Sequence, residues 1–256
     1  MSSQIALPDA RGLAWLSFFV VVLAAWAALL AMAATAPSEI ERTFWAAICG
    51  VGADEAGFGV TFAMWALMVA AMMAPSVLPA LRTYDDLIAA GAGRRSGFTA
   101  LIGGYLLVWF GYAVLGAALQ RSFAAFGMID GDGRLIGATI SAALLALAGL
   151  YQFSQLKSVC AQQCRAPFLF FMEHWQPGAR GGLMLGLRLG LICAGCCWAL
   201  MLLAFVGGTM SLLWMGLATV LMTVEKLPDY GAPLTRPLGF ALLVAAGWAA
   251  MGGTLA

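Results

Sequence analysis

The chain has 256 residues, 63% of them hydrophobic and only 10% charged, with a formal net charge of +1 and a mean hydropathy of +0.93. Soluble domains carry about 45–50% apolar and about 25% charged residues, so this composition excludes a water-soluble globular protein. It also excludes disorder, which needs low hydrophobicity and high charge. With no basic excess to answer phosphates, nucleic acid is not an expected partner; the expected solvent is a lipid bilayer.

A bilayer core of about 30 Å takes about 20 apolar residues as a helix. Seven stretches have that character, at 13–34, 58–81, 98–120, 135–152, 183–206, 208–224 and 238–255. The first is read as a retained span, because its apolar core exceeds the roughly 7–15 residues of a signal peptide. The sixth is short and follows Gly207-Gly208, which predicts a tight helical hairpin with the fifth. The expected fold is therefore all-α, a polytopic transmembrane helix bundle of about seven spans forming one integral membrane domain over residues 1–256. The longest polar segment, 153–182, is expected to be an inner loop.

Lys and Arg in short loops set the orientation. Counted on alternating sides, Arg11, Arg82, Arg94, Arg95, Lys157, Arg165, Arg180, Lys226 and Arg236 share one side, against Arg42, Arg121 and Arg134 on the other. The bias places the N-terminus inside and the C-terminus outside. The outer segment 35–57 is acidic, with Glu39, Glu41, Asp54 and Glu55 against Arg42.

In the second stretch Met64, Met68 and Met72 recur every four residues and so climb one helix face, with Trp65 beside them and Met73 pointing further round. Pro75 frees the carbonyl of Ala71, which must then find a partner within the bundle. The methionines suit either packing, as flexible gap-fillers, or a thioether ladder for a soft metal such as Cu(I). In the fifth stretch Cys193, Cys196 and Cys197 fall roughly on one side of a helix, and Gly182, Gly186, Gly190 and Ala194 form a small-residue stripe for close packing. Three inward cysteines in five residues fit metal binding and plain packing about equally. The sulfur groups of the second and fifth stretches sit at similar depths, which predicts contact of Met68 or Met72 with Cys193 or Cys197.

Segment 153–182 carries Cys160 and Cys164, one helical turn apart, and the only histidine, His174, which is read as structural. Cys49 has no assigned role. Glu225 and Lys226 end the sixth stretch and read as an ordinary interfacial pair. Arg188 faces away from the cysteines and can snorkel. No phosphate-binding loop, dinucleotide fingerprint, zinc-protease motif or nucleophile elbow occurs, and the expectation is a protein that is not an enzyme.

The segments MWALMVAAMMAPS (64–76), YQFSQLKSVCAQQCRAP (151–167), CAGCCWALM (193–201) and VEK (224–226) together resemble a bacterial family described as predicted metal-binding integral membrane proteins. The resemblance runs from about residue 58 to 226. It implies a multi-pass protein of the bacterial inner membrane with a metal role, chiefly copper. Many relatives have His directly before the glycine that precedes the cysteine segment; here that position is Leu189, next to Gly190. Without it, Cys and Met must suffice, which suits Cu(I) better than Zn(II).

The reading that results is a membrane protein binding Cu(I) through Met64, Met68, Met72, Cys160, Cys164, Cys193, Cys196 and Cys197, for copper handling or delivery. Its expected partners are lipid, a copper chaperone and other membrane subunits. The alternative is an accessory or structural subunit of a larger membrane complex, and a thiol–disulfide enzyme ranks below both.

Overall fold

The computed structural model describes residues 10–34, 57–130, 133–209 and 211–253. The acidic segment 35–56, with Arg42 and Cys49, lies outside the described residues. The described chain is all-α apart from one isolated antiparallel bridge between Ile129 and Leu135. In chain order the helices are α1 (Ala10–Ala34), α2 (Phe58–Ala89), α3 (Arg95–Ala125), α4 (Ala138–Tyr151), α5 (Gln155–Arg165), α6 (Pro167–His174), α7 (Gly178–Leu202), the single turn α8 (Ala204–Gly207), α9 (Leu212–Glu225) and α10 (Gly231–Ala250).

A helix stands at each of the seven expected stretches, but their lengths differ. Three of the described segments are long and apolar enough to cross a membrane: α2, α3 and the run Gly178–Gly207. A fourth joins them if α4 and α5, bent by 63° at their junction, are counted as one broken span. Taken singly, α4 and α9 have 14 residues each, about 21 Å at 1.5 Å per residue, short of a bilayer core. Seven full spans are thus not what the helices provide. Hydropathy counts apolar residues such as Leu135 and Ile136 that precede the first turn of α4 at Ala138.

Segment 153–182 is also not a loop. Ser154 caps α5 by accepting the backbone N–H of Lys157 at 3.1 Å, and Pro167 sits in the first turn of α6, where its missing N–H costs nothing. The bend after α4 folds α5 back against α7. α6 buries Phe170 and Phe171, and Phe171 meets Tyr84 of α2 edge-on at 5.9 Å.

The glycine stripe of α7 works as expected but against a different helix. Its most extensive partner is α3, not α2. A Cβ on Gly182 would strike the Gly97 carbonyl, one on Gly186 the Leu101 carbonyl, and one on Gly190 the Val108 side chain. Substituting Gly186 by Ala therefore forces two backbones apart. We expect a loss of about 1–3 kcal/mol, the range for overpacking a close contact, read as a lower melting temperature than that of Gly216→Ala. Nothing lies within 4 Å of the position a Cβ would take at Gly216.

α2 keeps its helical course through Pro75 and Pro79. The carbonyl of Ala71, freed by Pro75, accepts the indole N–H of Trp26 from α1 at 3.2 Å, so protein supplies the required partner. Trp65 is fully buried, donates to Gln120 Oε1 at 2.7 Å and lies against Gly116 of α3. Between α7 and α9 the chain turns at Gly208, whose φ of +95° is open to glycine but strained for L side chains. α9 then runs back beside α2 and α10.

Candidate metal centre

Three structural choices assemble one sulfur cluster. The bend after Tyr151 lays α5 on α7, α2 meets α7 along one edge near Met73 and Ser76, and the short α9 ends inside the bundle at the same level. The result unites the two cysteine groups that the sequence placed in a loop and in a span.

Cys193, Cys196 and Cys197 are 3%, 4% and 1% exposed, so all three are removed from solvent. The Cys164 sulfur of α5 lies 4.0 Å from that of Cys196. Cys160, on the same helix, points at Gly195, where an added Cβ would stand 3.0 Å from its sulfur. Gly195 thus lets α5 approach closely enough to deliver its thiols. Tyr151, at the end of α4, fixes this junction by donating its hydroxyl to the Gly195 carbonyl and stacking edge-on with Trp198 at 5.0 Å. The thiols of Cys196 and Cys197 donate back to the Cys193 carbonyl at 3.1 and 2.9 Å, which holds them on the inner side of the helix. All five described cysteines are free.

The thioether in the cluster is that of Met73, with Sδ 3.9 Å from Cys197 Sγ and 3.9 Å from Ser76 Oγ. Met64, Met68 and Met72 are buried in the core. The α2 thioether placed beside a cysteine is that of Met73, which the spacing put further round the helix. Ser76, one turn on, reaches Cys193 from the same helix.

Cys193 is the most heavily contacted sulfur. Ser76 Oγ is 3.9 Å away, the Tyr105 hydroxyl 3.3 Å, and the Lys226 ammonium donates to it at 3.0 Å. Lys226 is 7% exposed and Glu225 is 4% exposed, which overturns the reading of an interfacial pair. Nor do the two pair with each other. Glu225 takes Lys157 of α5 at 2.8 Å, and its carbonyl accepts Arg165 Nε at 2.8 Å. Lys226 has no carboxylate partner among the described residues, so the Cys193 sulfur is the group that answers its charge. A buried ammonium without a counter-charge is strongly disfavoured, and this contact is a built feature.

Composition gave no warning of Lys226, Tyr105 or Ser76. The available signal for Lys226 was the shortness of the sixth stretch, whose helix α9 has 14 residues. His174 binds its own helix, with Nδ1 3.1 Å from the Phe170 carbonyl and its ring 5.0 Å from that of Phe170, and lies apart from the sulfurs. Leu189 is buried, so the position of the absent histidine is filled by packing.

Two sulfurs bound to one ion at about 2.3 Å can stand at most about 4.6 Å apart. The Cys164–Cys196 and Cys197–Met73 pairs meet that limit. Among the described residues no three His, Cys, Asp or Glu side chains form a ready-made cage, so the site offers sulfur pairs and not a closed tetrahedral shell. Thiolate and thioether donors without imidazole or carboxylate select a soft cation.

The class the fold defines is an all-α bundle that encloses free thiols, a thioether and a buried ammonium in one interior cluster. The chain matches the model of the PpoB2 copper chaperone family over residues 62–249 and belongs to that family. The match begins one turn into α2 and ends with α10, leaving α1 outside it. It supports the copper part of the family resemblance and carries no statement about a membrane. No curated protein and no solved structure matches the chain.

Proposed function

We propose that this chain is a multi-pass membrane protein that holds Cu(I) as cargo on Cys164, Cys193, Cys196, Cys197 and Met73 and hands it to a copper-requiring partner. The observation that carries the proposal is the convergence of thiols from α5 and α7 with one thioether from α2. Sulfur donors in pairs suit Cu(I), whereas structural zinc takes four Cys or His ligands. Cys160, one turn from Cys164 and less buried than the α7 thiols, is the entry ligand in this reading. Lys226 serves as the counter-charge of a Cys193 thiolate: as Cu(I) binds, a second thiol of the cluster gives up its proton to solvent, and the two-thiolate Cu(I) anion with the Lys226 ammonium leaves the buried site without net charge. The protein acts by binding and transfer, not by catalysis.

Support for a membrane setting comes from the three long apolar helices and from large apolar side chains on outer faces, such as Leu107, Leu115, Leu191 and Val244. A copper chaperone on the inner side and a copper enzyme under assembly are the partners that fit.

The test is metal retention by protein purified in detergent under reducing conditions, in competition with a Cu(I) chelator. Stoichiometric Cu(I) with no retained Zn(II) is expected; equal retention of zinc would end the copper reading. Within the same assay Met73→Leu should weaken Cu(I) by about tenfold, about 1.4 kcal/mol, because a neutral thioether contributes less than a thiolate. Met68→Leu should leave affinity within twofold. Equal effects of the two would mean that Met73 is only a packing residue.

A further inference from the structure

The thiols use one face of α5, and the adjoining face opens onto a cleft that the copper reading does not employ. This cleft of about 610 Å3 lies between α5, the end of α4 and the first turns of α10. Its polar lining includes Gln152, Ser154, Lys157, Ser158, Arg165 and Arg236, and no aspartate or glutamate lines it. Its volume falls within the range of about 300–1,000 Å3 common to small-ligand sites.

The charges in the cleft do not balance. Lys157 is answered by Glu225 at 2.8 Å. Arg165 spends Nε on the Glu225 carbonyl and Nη2 on the Thr235 hydroxyl at 3.3 Å, both uncharged acceptors. Arg236 has no polar partner among the described residues. Two guanidinium charges therefore face the same cleft without a carboxylate. Beside them Gln152 is 4% exposed, yet neither Nε2 nor Oε1 has a hydrogen-bond partner. Buried amides nearly always find partners, so one with both ends unmet, at the wall of a cleft, has a reason to turn into it when a ligand supplies them. An open N–H asks for an acceptor and an open carbonyl asks for a donor. Phe153 and Phe240, edge-on at 5.0 Å, give the cleft an apolar flank.

We infer that this cleft binds a phosphate-type oxyanion bearing a neighbouring hydroxyl, with Arg165 and Arg236 gripping the oxyanion and Gln152 engaging the hydroxyl. Guanidinium pairs match the geometry of such anions bidentately. The same chemistry is offered by the headgroup of an anionic phospholipid and by a soluble phosphate ester. The inference is independent of copper, since none of these three side chains touches a sulfur.

The probes are phosphatidylglycerol in nanodiscs, with phosphatidylcholine as control, and glycerol phosphate added to the lipid-free protein in detergent. Thermal unfolding and native mass spectrometry supply the readouts. Saturable binding of phosphatidylglycerol alone assigns the site to lipid, and saturable binding of glycerol phosphate assigns it to a soluble ester. Either supports the site only if Arg236→Gln weakens binding by about tenfold or more, the loss expected for a charge-assisted hydrogen bond. Arg236 holds no other described group, so this variant should melt like wild type without ligand. Gln152→Leu should also weaken binding while leaving the fold intact, because its amide bonds to nothing. Absence of binding of both probes to wild type, or unchanged binding to Arg236→Gln and Gln152→Leu, would overturn the proposal.

Discussion

Replacing Cys193, Cys196 and Cys197 together by serine is expected to lower Cu(I) affinity by more than about a thousandfold, about 4 kcal/mol, when measured by chelator competition under reducing conditions. The variant keeps Cys164 and Met73, but each then lacks the α7 sulfur it faces, at 4.0 Å for Cys196 and 3.9 Å for Cys197. Serine is nearly isosteric and still satisfies the back-bonds to the Cys193 carbonyl, so the helix should survive. The single variants refine the point. Cys164→Ser and Cys196→Ser should cost similar amounts and be strongly non-additive when combined, because the two thiols share one ion. Cys160→Ser should cost least, since its sulfur meets Gly195 and not another sulfur. Equal copper retention by wild type and the triple variant would make these cysteines packing residues.

Substituting Lys157 by Met should destabilise the fold by about 3–5 kcal/mol, the cost of stranding one member of a buried ion pair. Lys157 and Glu225 are 1% and 6% exposed at their side chains and 2.8 Å apart, and they tie α5 to the end of α9. Without Lys157 the Glu225 carboxylate stays buried, with Oε1 already lacking a partner. The double variant Lys157→Met, Glu225→Leu should recover most of the loss, because it removes both charges while Arg165 keeps its hold on the Glu225 main-chain carbonyl. Unfolding in detergent micelles measures both. Copper affinity should fall in the single variant although Lys157 touches no sulfur, since a loosened α5 withdraws Cys164 from Cys196. A Lys157→Met protein as stable as wild type would show that the pair does not anchor α5.

The helical class and the positions of the helices were legible because hydropathy reports burial in any apolar setting. The turn at Gly207-Gly208 was legible too, but the helix lengths were not, because stretches 135–152 and 208–224 include apolar residues that precede the first turns of α4 at Ala138 and α9 at Leu212. The cysteines of α7 and of α5 were legible as two groups. Their union was not, since it depends on a 63° bend that no residue spacing encodes. The free Ala71 carbonyl was legible from Pro75; its donor, Trp26, lies 45 residues away and was not. Regular spacing identified the face of Met64, Met68 and Met72; it did not single out Met73, whose thioether stands 3.9 Å from Cys197 because α2 meets α7 along that edge. Lys226 was misread because an ionisable residue at the end of an apolar stretch normally lies at an interface. Here Glu225 and Lys226 are both buried inside the bundle instead.

X-ray absorption at the copper edge, on copper-loaded wild type beside Cys164→Ser, reads the shared site itself. Cu(I) in an all-sulfur shell of two or three ligands is expected, with the serine variant losing one sulfur from that shell. A shell containing nitrogen or oxygen donors, or one unchanged by Cys164→Ser, would contradict a site shared between α5 and α7.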